Sequence, residues 1–147
     1  MPTGNWQTGF SSIRTFPPRS VQVLVEAGGW CDVIDIFLKD HVAGMETYDC
    51  RFIVLLIDFD NHEDRLDFAR SKIPEHLAER VFILGALTEP EVLRRAVALT
   101  YEQIGLELAR DCMQGTNTVW SHPQLQHNSA ELERLRASIR AILFPAA

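Results

Sequence analysis

The sequence predicts an α/β fold with a small, mainly parallel sheet and flanking helices. Two unbroken apolar runs, Phe52–Ile57 and Val81–Ala86, have the composition of strands that are buried on both faces of a parallel sheet. A shorter run, Val21–Glu26, predicts one more strand ahead of them. The segments between these runs carry helical periodicity, and strands that alternate with helices are typical of α/β proteins.

The composition is that of an ordinary globular domain. The chain has 147 residues, 46% of them hydrophobic and 23% charged, which predicts one domain with a core of its own. No apolar run approaches the roughly 20 residues of a membrane span, and residues 1–20 lack the apolar segment of a secretory signal. Three cysteines without CxxC spacing indicate neither a disulfide framework nor a zinc site. We therefore expect a cytoplasmic protein that does not contact membranes.

The charge balance is acidic, with 20 acidic against 14 basic residues and a net charge of −6. An acidic surface argues against broad, non-specific binding of nucleic acid, which depends on positive charge. It leaves open a nucleic-acid substrate that is held locally by a metal ion and a few arginines.

The elements of the N-terminal half follow one another in a regular order. Residues 1–20 are polar and are interpreted as an irregular arm. Trp30–Val42 predicts a helix with one apolar side. Asn61–Lys72 predicts a second helix that ends before Pro74.

Capping signals predict where the later helices begin. Thr88 and Glu91 form a capping pair with Pro90 in the first turn, and Thr100 with Gln103 forms a second capping box. The region up to about residue 112 therefore contains one long helix or two.

A final helix is predicted from Asn128 onward. Its apolar stripe consists of Leu132, Leu135, Ile139 and Ile142. Before it lies a loop in which Trp120 and Leu125 are expected to be anchors, while His122 and His127 are either polar filling or a recognition surface. We assign residues 21–147 to one domain, with a core at 21–98 and a helical extension at 99–147.

Two carboxylates follow the central strand directly. Asp58 and Asp60 come after Phe52–Ile57, and because side chains alternate along a strand they point to one side, with Phe59 opposite. Open α/β sheets bind ligands in the crevice at the carboxyl ends of their strands. Paired carboxylate oxygens suit Mg²⁺ or Mn²⁺. A structural role stays open for Asp60, which together with Glu63 has the spacing to cap the next helix.

The order of these features resembles the Toprim domain, which is shared by topoisomerases, bacterial primases and OLD-family nucleases. In that family a glutamate ends the first strand in a VEG-like motif, here the segment VEAGG with Glu26, and a DxD motif ends a later strand, here Asp58-Phe59-Asp60. The resemblance covers roughly residues 21–98. It implies that Glu26 is the catalytic general acid or base and that Asp58 and Asp60 hold Mg²⁺.

The same resemblance implies additional acidic residues after the next strand. Some OLD-like members carry a further acidic pair there, which Glu89 and Glu91 match by position. Both also have a structural interpretation as residues at the start of a helix, and for Glu91 this interpretation is the preferred one.

The expected function is a Mg²⁺-dependent reaction on nucleic-acid phosphodiesters, of the nuclease type. One alternative is a Toprim-like fold without catalysis that serves as an interaction or regulatory protein and binds a protein partner. A further alternative is a haloacid-dehalogenase-like phosphatase, because VLLIDFD, residues 54–60, also resembles the nucleophile strand of that family. That alternative ranks lower, since His62 stands where the family has Thr or Val. The sequence makes no prediction of oligomeric state.

Overall fold

The computed structural model describes residues 21–25 and 27–144 and has a mixed α/β architecture. The first helix has three parts: α1 (Trp30–Ile36), a π-helical turn (Phe37–His41) and α2 (Val42–Thr47). The following elements are β1 (Ile53–Leu56), α3 (Asp64–Lys72), a 3₁₀ turn (Glu75–Arg80), β2 (Val81–Leu84), α4 (Pro90–Val97), α5 (Tyr101–Gln114), a second 3₁₀ turn (Gln126–Asn128) and α6 (Ser129–Leu143).

The sheet of the described residues contains two strands, which are parallel as predicted. Ile53 is paired with Val81 and Leu56 with Leu84. Backbone hydrogen bonds continue this pairing past both strands, because the N–H of Ile57 donates to the Leu84 carbonyl at 3.0 Å. Both strands are confirmed, each shorter than its apolar run. Burial on both faces is confirmed for β2 but not for β1, in which Val54 is 38% exposed.

The strand predicted at Val21–Glu26 is not observed. Residues 21–25 lie outside the sheet and are exposed, Val25 to 94%, and Glu26 lies outside the described residues. An alternation of apolar residues provides one face for a sheet, but a strand forms only where a neighbouring strand accepts its backbone hydrogen bonds. Residues 21–25 therefore add no third strand to β1 and β2.

The two faces of the sheet pack against different helices, because successive side chains of a strand point to opposite faces. Leu55, Ile57 and Ile83 face the N-terminal helices, where the core also contains Ile34, Phe37, Met45 and Ala69. Phe82 and Leu84 face α5 and α6, where they meet Ile104, Leu108, Leu132 and Leu135. The C-terminal helices thus supply one side of the core.

The loop between α2 and β1 is held by a single arginine. Nη1 of Arg80, directly before β2, donates to the carbonyl oxygens of Met45, Tyr48 and Arg51 at 3.0–3.1 Å. Met45 is fully buried beneath this contact. The end of α2 is therefore fixed to the amino end of the sheet.

The capping role left open for Asp60 and the one predicted for Thr88 are not observed, whereas the helix starts predicted at Trp30, Thr100 and Asn128 are confirmed. Asp60 does not cap α3, because the chain turns at Asp60 and Asn61 with φ of 48° and 59°, and the N-cap is Glu63. Thr88 does not cap α4 either: its hydroxyl donates to Oε1 of Gln124 at 2.7 Å, and the N-cap is Glu89.

The capping box at the start of α5 is formed as predicted. The Thr100 hydroxyl accepts from the backbone N–H of Gln103 at 3.2 Å, and Gln103 Oε1 accepts from the N–H of Thr100 at 2.9 Å. The reciprocal bonds separate α4 from α5, so the region contains two helices. Ala98, between them, has a left-handed backbone with φ of 55°.

None of the described helices combines the length and the apolar character that a membrane crossing requires.

Candidate functional site

The candidate site lies where the chain leaves β1 and β2. The N–H of Phe59 donates to the carbonyl of Ala86 at 3.3 Å, and the N–H of Asn61 donates to the carbonyl of Leu87 at 2.6 Å. These bonds hold the segment after β1 against the segment after β2. The carboxyl ends of two parallel strands thus share one edge, as a ligand-binding crevice of an α/β sheet requires.

Burial alternates over Asp58, Phe59 and Asp60, as predicted. Phe59 is buried in the core, whereas Asp58 and Asp60 are exposed. Asp60 and Asn61 adopt the left-handed backbone that Asp and Asn tolerate better than other non-glycine residues. The chain therefore leaves the sheet at Asp60, whose side chain is 79% exposed.

Arg65 of α3 lies against both aspartates. Its Nη1 donates to the backbone carbonyl of Asp58 at 2.8 Å, and its Nη2 lies 3.6 Å from Oδ2 of Asp60. The Arg65 side chain is only 18% exposed because its guanidinium packs on the ring of Trp30, 4.7 Å from the centroid. The ion pair with the exposed Asp60 contributes little to stability. It does place one cation beside the carboxylates.

A short C-terminal segment, Gln124–Asn128, contacts both strand ends, and we call it the clamp segment. The carbonyl and the side chain of Gln124 accept from the N–H groups of Leu87 and Thr88 at 2.9 and 3.0 Å. Asn128 is buried and forms two bonds with Gly85: Oδ1 accepts from its N–H at 3.1 Å, and Nδ2 donates to its carbonyl at 2.9 Å. The end of β2 is therefore bonded to β1 on one side and to the clamp segment on the other.

Gly85 is required by the close approach of the strands at this edge. A Cβ on Gly85 would overlap the carbonyl oxygen of Ile57 and press on the ring of Phe59. No other residue type fits without a shift of the backbone. The spacing of the two strand ends therefore depends on a glycine that the sequence analysis did not select.

His127 of the clamp segment packs edge to face against Phe59, with ring centroids 4.6 Å apart. Both ring nitrogens are buried, and they make no hydrogen bond of normal geometry to the described residues. Burial lowers the pKa of His127, an effect that outweighs the opposing influence of the Gly85 backbone and of the Glu63 carboxylate. The lowered pKa favours the neutral form of His127, which packs against Phe59, the residue between Asp58 and Asp60.

The other predicted site residues are distributed as follows. Glu26 lies outside the described residues. Glu89 is exposed at the N-cap of α4, and Glu91 lies in the first turn of that helix, near Tyr101. Burial is the main cause of the raised pKa of Tyr101, and the Glu91 carboxylate raises it further. Within residues 21–25 and 27–144, no three His, Cys, Asp or Glu side chains are grouped so that they could hold a metal ion.

Comparison of the chain with protein-family models, with curated proteins and with solved structures gave no match. Over the residues that the structure describes, the fold and the site define a mixed α/β protein with a two-stranded parallel sheet and two exposed carboxylates at the carboxyl edge of that sheet.

Proposed function

We propose that the protein acts on nucleic-acid phosphodiesters with Mg²⁺ or Mn²⁺, as a divergent member of the Toprim class, with Asp58 and Asp60 as the metal-binding residues. The observation that carries the proposal is their position. Both carboxylates are exposed at the carboxyl end of the parallel strand β1, while the intervening Phe59 is anchored in the core. A ligand can reach the carboxylates, and the backbone that bears them is fixed.

The donor set fits a hard divalent cation. Mg²⁺ is usually bound through one or two carboxylates together with water and substrate phosphates, so two aspartates are a sufficient protein contribution. A bound metal ion would stabilise the negative charge on the phosphoryl oxygens of the substrate. Arg65, which packs on Trp30, places a positive charge 3.6 Å from Oδ2 of Asp60 and so reduces the repulsion between the carboxylates.

The proposed proton carrier is Glu26, by its position in the VEG-like motif. A carboxylate in this role takes or gives the proton of the attacking or leaving oxygen. Glu89, which is exposed at the start of α4 after β2, is the proposed additional acidic residue at this edge of the sheet. Glu91 is the weaker candidate because it lies beside Tyr101.

Cleavage assays with the full chain test the proposal. We expect Mg²⁺- or Mn²⁺-dependent cleavage of DNA or RNA that Asp58→Asn abolishes, since the substitution removes a metal ligand. Glu102→Gln, which removes an exposed carboxylate from the first turn of α5, is the matched control and retains activity. Absence of cleavage with either metal contradicts the proposal, and turnover of a simple phosphomonoester instead indicates the phosphatase alternative.

One observation favours a second candidate function, that of a catalytically silent interaction protein. Nη2 of Arg65 lies 3.6 Å from Oδ2 of Asp60, so this carboxylate already has a cation beside it. An arginine beside a carboxylate competes with a metal ion for it. A protein that is inactive on phosphodiesters and phosphomonoesters, but forms a stoichiometric complex with one defined partner, would have this function.

A further inference from the structure

The outer surface of α3 carries an aromatic ring that the core does not use. Phe68 is 48% exposed, whereas Leu66 and Ala69 of the same helix pack toward the core. Arg65, Phe68 and Lys72 have the spacing i, i+3 and i+7, so they lie along one stripe of the helix. We call these three residues the α3 stripe.

A series of contacts runs from the candidate site along this stripe, with two aromatic rings between two cations. The Arg65 guanidinium lies on the Trp30 ring, and Trp30 meets Phe68 edge to face, with centroids 5.5 Å apart and planes at 76°. Nζ of Lys72 lies 5.1 Å from the centroid of Phe68. These distances are within the range of cation–π contacts. The series starts beside the DxD because Arg65 also donates to the carbonyl of Asp58.

We infer that the α3 stripe, together with Trp30, is a binding surface for single-stranded nucleic acid. Bases stack on aromatic side chains whatever their identity, and ammonium and guanidinium groups pair with phosphates. Phe68 offers an exposed ring for one base, and Lys72 beside it offers a charge for a neighbouring phosphate. The choice of nucleic acid as the partner rests on the proposed function.

The acidic residues near the stripe limit how the strand is held. Asp64 and Asp67 lie on the same helix, and the chain as a whole has a net charge of −6. Binding therefore depends on stacking and on one or two phosphate contacts rather than on a broad positive surface. For a single strand this predicts a slope of log K against log salt concentration of about −0.7 to −1.4.

Fluorescence anisotropy with labelled 12-mers of dT and rU, measured in EDTA, tests the inference. We expect saturable binding of both strands, because the surface contacts the faces of bases and the phosphates, which DNA and RNA share. Phe68→Ala should weaken binding about tenfold or more, since stacking on that ring is lost. Phe68→Tyr, which keeps the ring, should restore it. Lys72→Gln should reduce the magnitude of the salt slope by about 0.7.

The controls separate stacking from damage to the fold. Ile142→Ala removes an apolar side chain on α6 that is 47% exposed, as much as Phe68, and should leave binding unchanged. Phe68→Leu keeps apolar volume without the ring and should bind as weakly as Phe68→Ala. Equal binding by wild type and Phe68→Leu, or no saturable binding by wild type, overturns the inference. A change of oligomeric state in Phe68→Ala, seen by light scattering, also overturns it and identifies a contact between copies.

The failure of this inference is distinguishable from failure of the proposed function. Binding in EDTA involves no metal and no cleavage, so an inactive protein can still bind the strand through Phe68. Conversely, metal-dependent cleavage with the same KM in wild type and Phe68→Ala leaves the DxD proposal intact and removes the α3 stripe from substrate binding.

Discussion

Glu131, in the first turn of α6, accepts a hydrogen bond at 2.9 Å from the backbone N–H of Ile83 in β2. The carboxylate is fully buried, and the guanidinium groups of Arg70 and Arg134 both pair with it. Asn128 makes the corresponding bonds to Gly85 one turn earlier. Side chains at the start of a helix thus take the place of a further strand along the outer edge of β2, which keeps that edge from pairing with another chain.

Removing the Glu131 carboxylate should be destabilising. Glu131→Ala leaves the buried N–H of Ile83 without its acceptor and removes the carboxylate that pairs with the partly exposed Arg70 and Arg134, and we expect a loss of about 1–3 kcal/mol in the free energy of unfolding. Glu131→Gln keeps an acceptor for Ile83 and should lose less. Urea unfolding measures both variants. The exposed Glu133→Gln is the control on the same helix, and an equal effect of Glu131→Gln and Glu133→Gln would contradict this role.

Gly85→Ala should separate the strand ends. The added methyl group overlaps the carbonyl oxygen of Ile57, so the backbone must shift, at a cost of about 1–3 kcal/mol. Amide hydrogen exchange should show faster exchange at Ile57 and Phe59, whose N–H groups donate to the carbonyls of Leu84 in β2 and of Ala86 just after it. Gly29→Ala, where a Cβ makes ordinary contact with Asp32, serves as the control. Unchanged protection at Ile57 in Gly85→Ala would show that the strand ends tolerate the methyl group.

His127 should make stability fall in mild acid. Its pKa is lowered in the fold by burial, so the unfolded chain takes up the proton first. The contribution is therefore fully present above the ordinary pKa of about 6.5 and is lost as the pH falls below it, with a slope of up to about 1.4 kcal/mol per pH unit.

Replacement by a ring that does not titrate isolates this effect. His127→Phe keeps an edge contact with Phe59 and should flatten the dependence of unfolding free energy on pH below 6.5. Gln126→Ala, which alters an exposed side chain without a titrating group next to His127, should leave the slope unchanged. A slope that persists in His127→Phe would assign the acid sensitivity to other groups.

The parts of the fold that follow from local periodicity could be predicted from the sequence. The six-residue apolar run at 52–57 contains β1, and the alternation beyond it correctly exposes Asp58 and Asp60 while burying Phe59. The capping box of Thr100 and Gln103 needs only residues three apart, and it is formed. These features depend on neighbours in sequence.

The features that were missed depend on distant partners. Val21–Glu26 has the alternation of a strand, but residues 21–25 pair with nothing in the sheet. Glu131 has the sequence context of a solvated residue in the first turn of a helix. Its burial is explained only by partners that are distant in sequence, namely Arg70 of α3 and the N–H of Ile83 at the edge of β2. The position of Asn128 as the partner of Gly85 also had no local signal.

The most direct test of the metal-binding role of Asp58 and Asp60 is the melting temperature of the full chain with and without millimolar Mg²⁺ or Mn²⁺. A cation that binds only the folded protein adds about 2.7 kcal/mol at a hundredfold excess over Kd, which raises Tm by several degrees beyond Na⁺ at matched ionic strength. Asp58→Asn should abolish this rise, and Glu102→Gln should preserve it. A wild-type Tm that does not respond to either cation would contradict the proposed metal site.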